Sequence, residues 1–159
     1  MSRNPRSRAK GASAPPRVPA KITHGLIIQK DPLDRILAGR KTWEVRGSRT
    51  AMRGLIALIE SGTGCVVGTA ELVGTEGPIS LAELRRNHRK AGFLATELYY
   101  KPTFAWVLRN AARLASPTRY RHRRGVVIWV RLTPAVADKV SAQHRASVRR
   151  RPARRARAA

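Results

Sequence analysis

The chain has 159 residues, enough for one domain with flanking segments. Its 33 Lys and Arg against 9 Asp and Glu leave a net charge of +24. A small soluble domain typically carries a magnitude of about 2–8, so the excess points to a polyanionic partner, nucleic acid before a membrane surface or an acidic protein. A single cysteine, Cys65, rules out an internal disulfide framework, and no apolar run approaches the ~20 residues of a membrane-spanning helix.

Residues 1–23 hold six basic side chains and no acidic one. Rich in Pro, Ser, Ala and Arg and without an aliphatic period, residues 1–21 read as a disordered basic arm. They lack the apolar stretch of a secretory signal, and their prolines oppose the amphipathic helix of a transit peptide, so a cytoplasmic location is expected. The domain itself is expected over 22–133. His24 to Gln29 is a short apolar run, read as a buried strand. Asp31-Pro32 reads as an N-cap followed by proline at the first helical position, with Leu33, Ile36 and Leu37 at helical spacing and Gly39 as the stop. Thr42 to Arg46 is strand-like. Gly54 to Glu60 and Cys65 to Val73 form a hairpin around Ser61-Gly62-Thr63-Gly64. Ser80-Leu81-Ala82-Glu83 is a capping box that opens a helix to about Lys90, with further helical turns toward Tyr99. Phe104 to Leu108 and Val126 to Leu132 are the last strands. Residues 134–159 are a basic Arg/Ala-rich tail with room for a short helix over 134–148, starting at Pro134. About six short strands and two or three short helices describe an α+β domain, a small mixed β-barrel rather than a doubly wound sheet.

The stretch from Gly39 to Arg46 concentrates the chemistry. Strand alternation sets Thr42, Glu44 and Arg46 on one face and Trp43 and Val45 on the other, which is expected to be the core side. Lys41, at the helix-to-strand junction, can reach the space of Glu44 and Arg46. An acid, a guanidinium and an ammonium converging in this way suit an anion, a polar base edge or a reacting carbonyl. The same residues also read as a structural Glu44–Arg46 pair beside a solvated lysine.

The pattern Gly39-x-Lys41-x-x-Glu44-x-Arg46 resembles the signature of the ASCH (activating-signal-cointegrator homology) family. So does its place after a first strand and a helix. Ala105-Trp106-Val107-Leu108, Pro117, Tyr120 and Gly125-Val126-Val127-Ile128-Trp129 resemble the family's C-terminal half, so the likeness spans about 24–132. It implies a PUA-like β-barrel with a cleft lined by Lys41, Glu44 and Arg46, and work on RNA. The family also holds reported ribonucleases and a bacterial branch that removes the acetyl group from acetylcytidine. That branch uses the signature lysine, a threonine three residues later and a distant glutamate. Lys41 matches the lysine, but Glu44 stands at the threonine's place, and Glu83 and Glu97 match the distant glutamate only approximately.

Elsewhere, His24, His88, His122 and His144 have no metal-ligand spacing with one another or with Cys65, so neither a metal nor a cofactor is expected. Cys65 opens an apolar strand and reads as a small core residue. Arg119 to Arg124 surround Tyr120 with positive charge. Arg121, Arg123 and Arg124 are candidate phosphate contacts, and Tyr120 reads more as a packed residue than as a stacking one. Tyr99-Tyr100-Lys101 reads as core packing, and Arg85, Arg86, Arg89 and Lys90 as a solvated helix face. The leading expectation is a nucleic-acid-binding domain, RNA before DNA, with a nucleotide in the signature cleft and the basic arms on the phosphate backbone. The alternatives are a hydrolase acting on RNA or a modified nucleoside through Lys41 and Glu44, and a docking module for an acidic protein.

Overall fold

The computed structural model describes residues 21–150. The arm expected at 1–21, apart from Lys21, and the tail from 151 onward lie outside the described residues. Between them run six strands and four helices in the order β1 (His24–Ile28), α1 (Lys30–Leu37), β2 (Trp43–Arg46), β3 (Gly54–Glu60), β4 (Cys65–Glu76), α2 (Leu81–Arg86), α3 (His88–Ala91), β5 (Phe104–Arg119), β6 (Trp129–Arg131) and α4 (Pro134–Arg149).

The strands form one sheet in the order β2-β5-β4-β3-β1-β6. β1 and β3 are parallel, because α1 and β2 intervene and carry the chain across. The other pairings are antiparallel. Register shifts interrupt β3–β4 at Leu58/Ile59, and β4–β5 at Val66/Gly68, Thr69/Glu71 and Leu72/Gly74. Such bulges add local twist and bend a strand. Here they curl the sheet into a half-barrel.

The run from Leu55 to Ile59 is apolar throughout because β3 is covered on both faces. Ile56 and Leu58 join Leu26, Ile28, Leu72, Trp106 and Leu108 in the core beneath α1, where Leu33 and Ile36 are also buried. Ala57 and Ile59 turn the other way, to Val66, Leu114 and Val130 beneath α4. A third cluster gathers Ile79, Leu84, Ala91 and Ala95 of the α2–α3 segment around Trp43.

Local signals settled several elements. The Ser80–Glu83 capping box is present with both bonds, and the Ser80 backbone N–H holds the Glu83 carboxyl below its ordinary range. The hairpin turn after Glu60 takes positive φ at Gly62 and Gly64. Gly39 takes φ 74° just past α1. That helix, however, begins at Lys30, with Gln29 as an N-cap that makes no side-chain bond. Asp31 lies inside its first turn, and the Lys30–Asp34 pair at 2.8 Å spans the turn where a cap was expected. The helix after Ser80 runs about as far as expected but is broken at Asn87 into α2 and α3, and the further turns toward Tyr99 do not form. α3 ends at Gly92, φ 80°, and the chain to Thr103 is irregular.

Two strands differ from expectation. β5 continues past Leu108 to Arg119, paired along β4 as far as Cys65–Arg119. Its second half mixes exposed arginines with small and polar residues and buries only Leu114 and Thr118, which hides it from an apolar-run reading. β6 is only three residues, since the segment before it turns at Arg123–Val126 instead of joining the sheet. α4 is capped by Thr133, carries Pro134 at its start and packs on β5. Ser141 accepts a hydrogen bond from the Ile22 N–H at 3.1 Å, His144 Nδ1 meets the buried Thr69 hydroxyl at 2.9 Å, and Gln143 donates to the Thr118 hydroxyl at 3.0 Å.

Gly68 lies where Leu37 of α1 comes close to the sheet. A Cβ there would lie 2.4 Å from Leu37 Cδ2 and 2.8 Å from the Ala112 carbonyl oxygen. The backbone oxygen cannot move aside as a side chain does. Gly68→Ala is therefore expected to cost about 1–3 kcal/mol, as overpacked cores do, read as a lower urea midpoint with an unchanged slope.

Candidate functional site

β2 is the sheet's edge next to β5, with Glu44 opposite Trp106 and Arg46 opposite Phe104. Alternation sends Trp43 and Glu44 to opposite faces, and both are buried, at 3% and 7% exposure. The expectation that only the Trp43 face is core is therefore corrected. The α2–α3 segment covers one face, and the interior of the half-barrel takes the other.

Lys41, Glu44 and Arg46 do come together. Glu44 Oε2 lies 3.5 Å from Lys41 Nζ, and Oε1 lies 3.2 Å from Arg46 Nη2. Lys41 also donates to the Trp43 carbonyl at 2.6 Å and the Ala91 carbonyl at 2.8 Å. Its three N–H groups thus have three acceptors, and the side chain is 4% exposed, with its stem against Gly92. It is not a solvated lysine. Burial lowers its pKa most strongly, Glu44 opposes that shift, and the Arg35 and Arg46 charges add to it.

Arg46 points the other way along the same chain of charges. Nη2 donates to the Ile27 carbonyl at 2.8 Å, bridging β2 to β1. The guanidinium lies over the Trp106 ring, 5.6 Å from its centroid, and Trp106 stacks on Trp129. Nε is buried without a partner among the described residues.

Glu44 and Arg46 form part of the wall of a cleft of about 510 Å³. Tyr100, Tyr120 and His122 supply aromatic surface, and Ser61, Gly62 and Gly64 of the β3–β4 turn close one side. Lys41 does not line this cleft; it stands behind Glu44 and borders a second hollow beside Gly39 and Asn110. Tyr120 is half-buried and packs against the cluster beneath α4. Burial, and then the neighbouring Cys65, raise its pKa, so it remains a neutral phenol. Its hydroxyl meets His122 Nδ1 at 3.1 Å. Arg121, Arg123 and Arg124 are exposed on the same loop, between and beyond the residues that face the cleft. Among the described residues no three His, Cys, Asp or Glu side chains are grouped as metal ligands, and no helix is long and apolar enough to cross a membrane.

A family model of the ASCH domain matches residues 26–127, from β1 into the loop before β6. The chain belongs to the ASCH family. Solved structures of the ASCH protein from Zymomonas mobilis share the fold. A serine-to-alanine mutant of that protein aligns with a TM-score of 0.57 and 19% identity, covering 79% of this chain and 98% of its own. The structure titled simply as ASCH gives 0.54 and 17%, covering 74% and 94%. A tyrosine-to-phenylalanine mutant gives 0.54 and 19%, covering 74% and 96%. No curated protein matches the chain. The half-barrel is thus the small α+β, PUA-like fold of the ASCH domain, a family broadly associated with RNA binding.

Within this ASCH domain, sequence reading missed Tyr100, His122 and the Ser61–Gly62 turn as cleft residues. The turn was legible only as a hairpin. His122 was visible inside the Arg119–Arg124 run, where its positive neighbours masked it. Glu83, an approximate match to the family's distant glutamate, is occupied by its capping box.

Two outcomes test the buried charges. Glu44→Gln leaves Lys41 and Arg46 without their shared counter-charge and is expected to cost about 3 kcal/mol of stability in urea unfolding. Lys41 keeps its proton to a higher pH in the unfolded chain than in the folded one. Between its lowered folded value and the ordinary 10.5, the unfolded chain binds more protons, so raising the pH through that window favours the fold. The stability of the native chain relative to Lys41→Met is therefore expected to rise as pH climbs toward 10.5 and to be flat below the window.

Proposed function

We propose that this ASCH domain binds RNA and holds one nucleotide in the cleft between the signature strand and the 120–127 loop. The observation that carries the reading is the composition of that cleft's walls. A carboxylate and a guanidinium lie side by side on one wall, with tyrosine and histidine rings among the other lining residues. A base needs both. Its faces stack on aromatic rings, and its edge offers donors to Glu44 and acceptors to Arg46. The volume suits one nucleotide-sized ligand. Arg46 spends Nη2 on the protein and buries Nε, which leaves the N–H groups of Nη1 for a ligand.

The phosphate backbone falls to the exposed Arg121, Arg123 and Arg124, and to the basic segments outside the described residues. RNA is preferred to DNA on the family's association alone. Charge would serve either polymer.

A hydrolytic reading draws on one observation, the lowered pKa of Lys41 beside Glu44, since perturbed acid–base pairs gather at reaction centres. In that reading Glu44 is the general base and Lys41 stabilises its charge. Against it, all three Lys41 N–H groups are engaged, two of them by backbone carbonyls, and Glu44 stands between the ammonium and the cleft. Binding therefore stands ahead of turnover.

Titrating the full chain with a labelled single-stranded RNA across a salt series tests the proposal. Arg46→Ala is expected to weaken binding about tenfold or more, the worth of a charge-assisted hydrogen bond. Arg121→Ala and Arg123→Ala are each expected to reduce the log–log salt slope by about 0.7. An Arg46→Ala protein with native affinity overturns the cleft assignment. RNA cleavage that stops with Glu44→Gln while affinity persists puts the hydrolase first.

A further inference from the structure

Among the described residues Tyr99 is the most exposed of the large apolar side chains, at 88%, on an irregular segment whose backbone is held at several points. Arg85 holds that segment to α2 through the Ala95 carbonyl at 2.9 Å and the Thr96 carbonyl at 3.1 Å. The Thr103 hydroxyl donates to the Tyr100 carbonyl. The Tyr100 ring rests on Gly47, the residue after Arg46; a Cβ on Gly47 would sit 3.0 Å from Tyr100 Cδ1. Tyr100 is thus a fixed wall of the cleft. Tyr99 meets it edge-on, with 5.0 Å between ring centroids and 85° between planes. The sequence reading placed both rings in the core. Instead, one lines the cleft and the other stands outside it.

Folding does not account for the outer ring. A side chain left almost wholly in water adds little hydrophobic stabilisation. What the position offers is an open aromatic face on an anchored loop, one residue from the cleft, in a protein of charge +24.

We propose that Tyr99 is a stacking platform for the base adjacent to the one in the cleft, so that the ligand is single-stranded RNA of at least two nucleotides rather than a free nucleotide. The inference rests on the cleft being a nucleotide site. It goes beyond that reading in fixing the ligand's form. A duplex cannot use the platform, because its bases already stack on one another, whereas a single strand presents unstacked faces. The exposed Lys101 adds a positive charge two residues on.

The experiment measures binding by the full chain of a fluorescein-labelled eight-nucleotide single-stranded RNA, of the same sequence as a duplex, and of a nucleoside monophosphate. Tyr99→Ala is expected to weaken the single strand by about fivefold to a hundredfold, the range of one base–aromatic stack. It should leave the duplex and the monophosphate unchanged, and Tyr99→Phe should retain native affinity. The side chain touches little besides Tyr100, so an unchanged melting temperature serves as the folding control. If Tyr99→Ala binds the single strand within twofold of the native chain while Arg46→Ala weakens it, the platform is wrong and the cleft reading stands. If Arg46→Ala changes none of the three ligands, the cleft reading fails and the platform falls with it. Equal loss of single strand and duplex on Tyr99→Ala also overturns the platform, since a surface that serves both is not reading an unstacked base.

Discussion

The carboxylate of Glu44 sits where water scarcely reaches, and two cations share it. Removing three charges from water is costly, and the arrangement persists only because each polar atom in it is nearly matched. The consequences run through the fold. Lys41 carries the ion chain to the carbonyl of Ala91 and fastens α3 to the signature strand. Arg46 carries it to the carbonyl of Ile27 and draws the free edge of the sheet toward β1. Between them Glu44 faces the cleft. The charges that give the site its character also close the half-barrel, so the site and the fold cannot be varied independently.

The parts of this structure that could be read from sequence are those whose cause is local. The capping box needs only Ser80 and Glu83, and the hairpin only its glycines. The long β5 could not be read, because its second half is stabilised by pairing with β4, while its own side chains are mostly exposed arginines and small or polar residues without an apolar period. Tyr99 was misread for the complementary reason. Aromatic rings are usually buried, and nothing in Tyr99-Tyr100 tells which ring turns outward. At the site, the convergence of Lys41, Glu44 and Arg46 was legible from their spacing. The saturation of Lys41 was not, since one acceptor is a backbone carbonyl fifty residues away in sequence.

Positive charge is distributed here on two levels. Exposed arginines such as Arg121 and Arg123 keep their hydration, interact at long range and are screened by salt. Arg46 is mostly desolvated and fixed in place by Ile27, Glu44 and Trp106. Under the proposed function the first kind gathers a polyanion, and the second discriminates among what arrives because its donors have set directions.

The pairing of β2 with β5 also sets an order of assembly. As the chain leaves the ribosome, β2 is complete at Arg46, but its partner in the sheet is not made until Phe104 to Val107. Until then Lys41, Glu44 and Arg46 have no barrel to enter and remain hydrated. β3 and β4 can form their hairpin early, whereas contacts of long sequence separation must wait for loop closure. The charged centre therefore cannot be covered before β5 is made, and the same strand brings Trp106 and Leu108 to the core beside it.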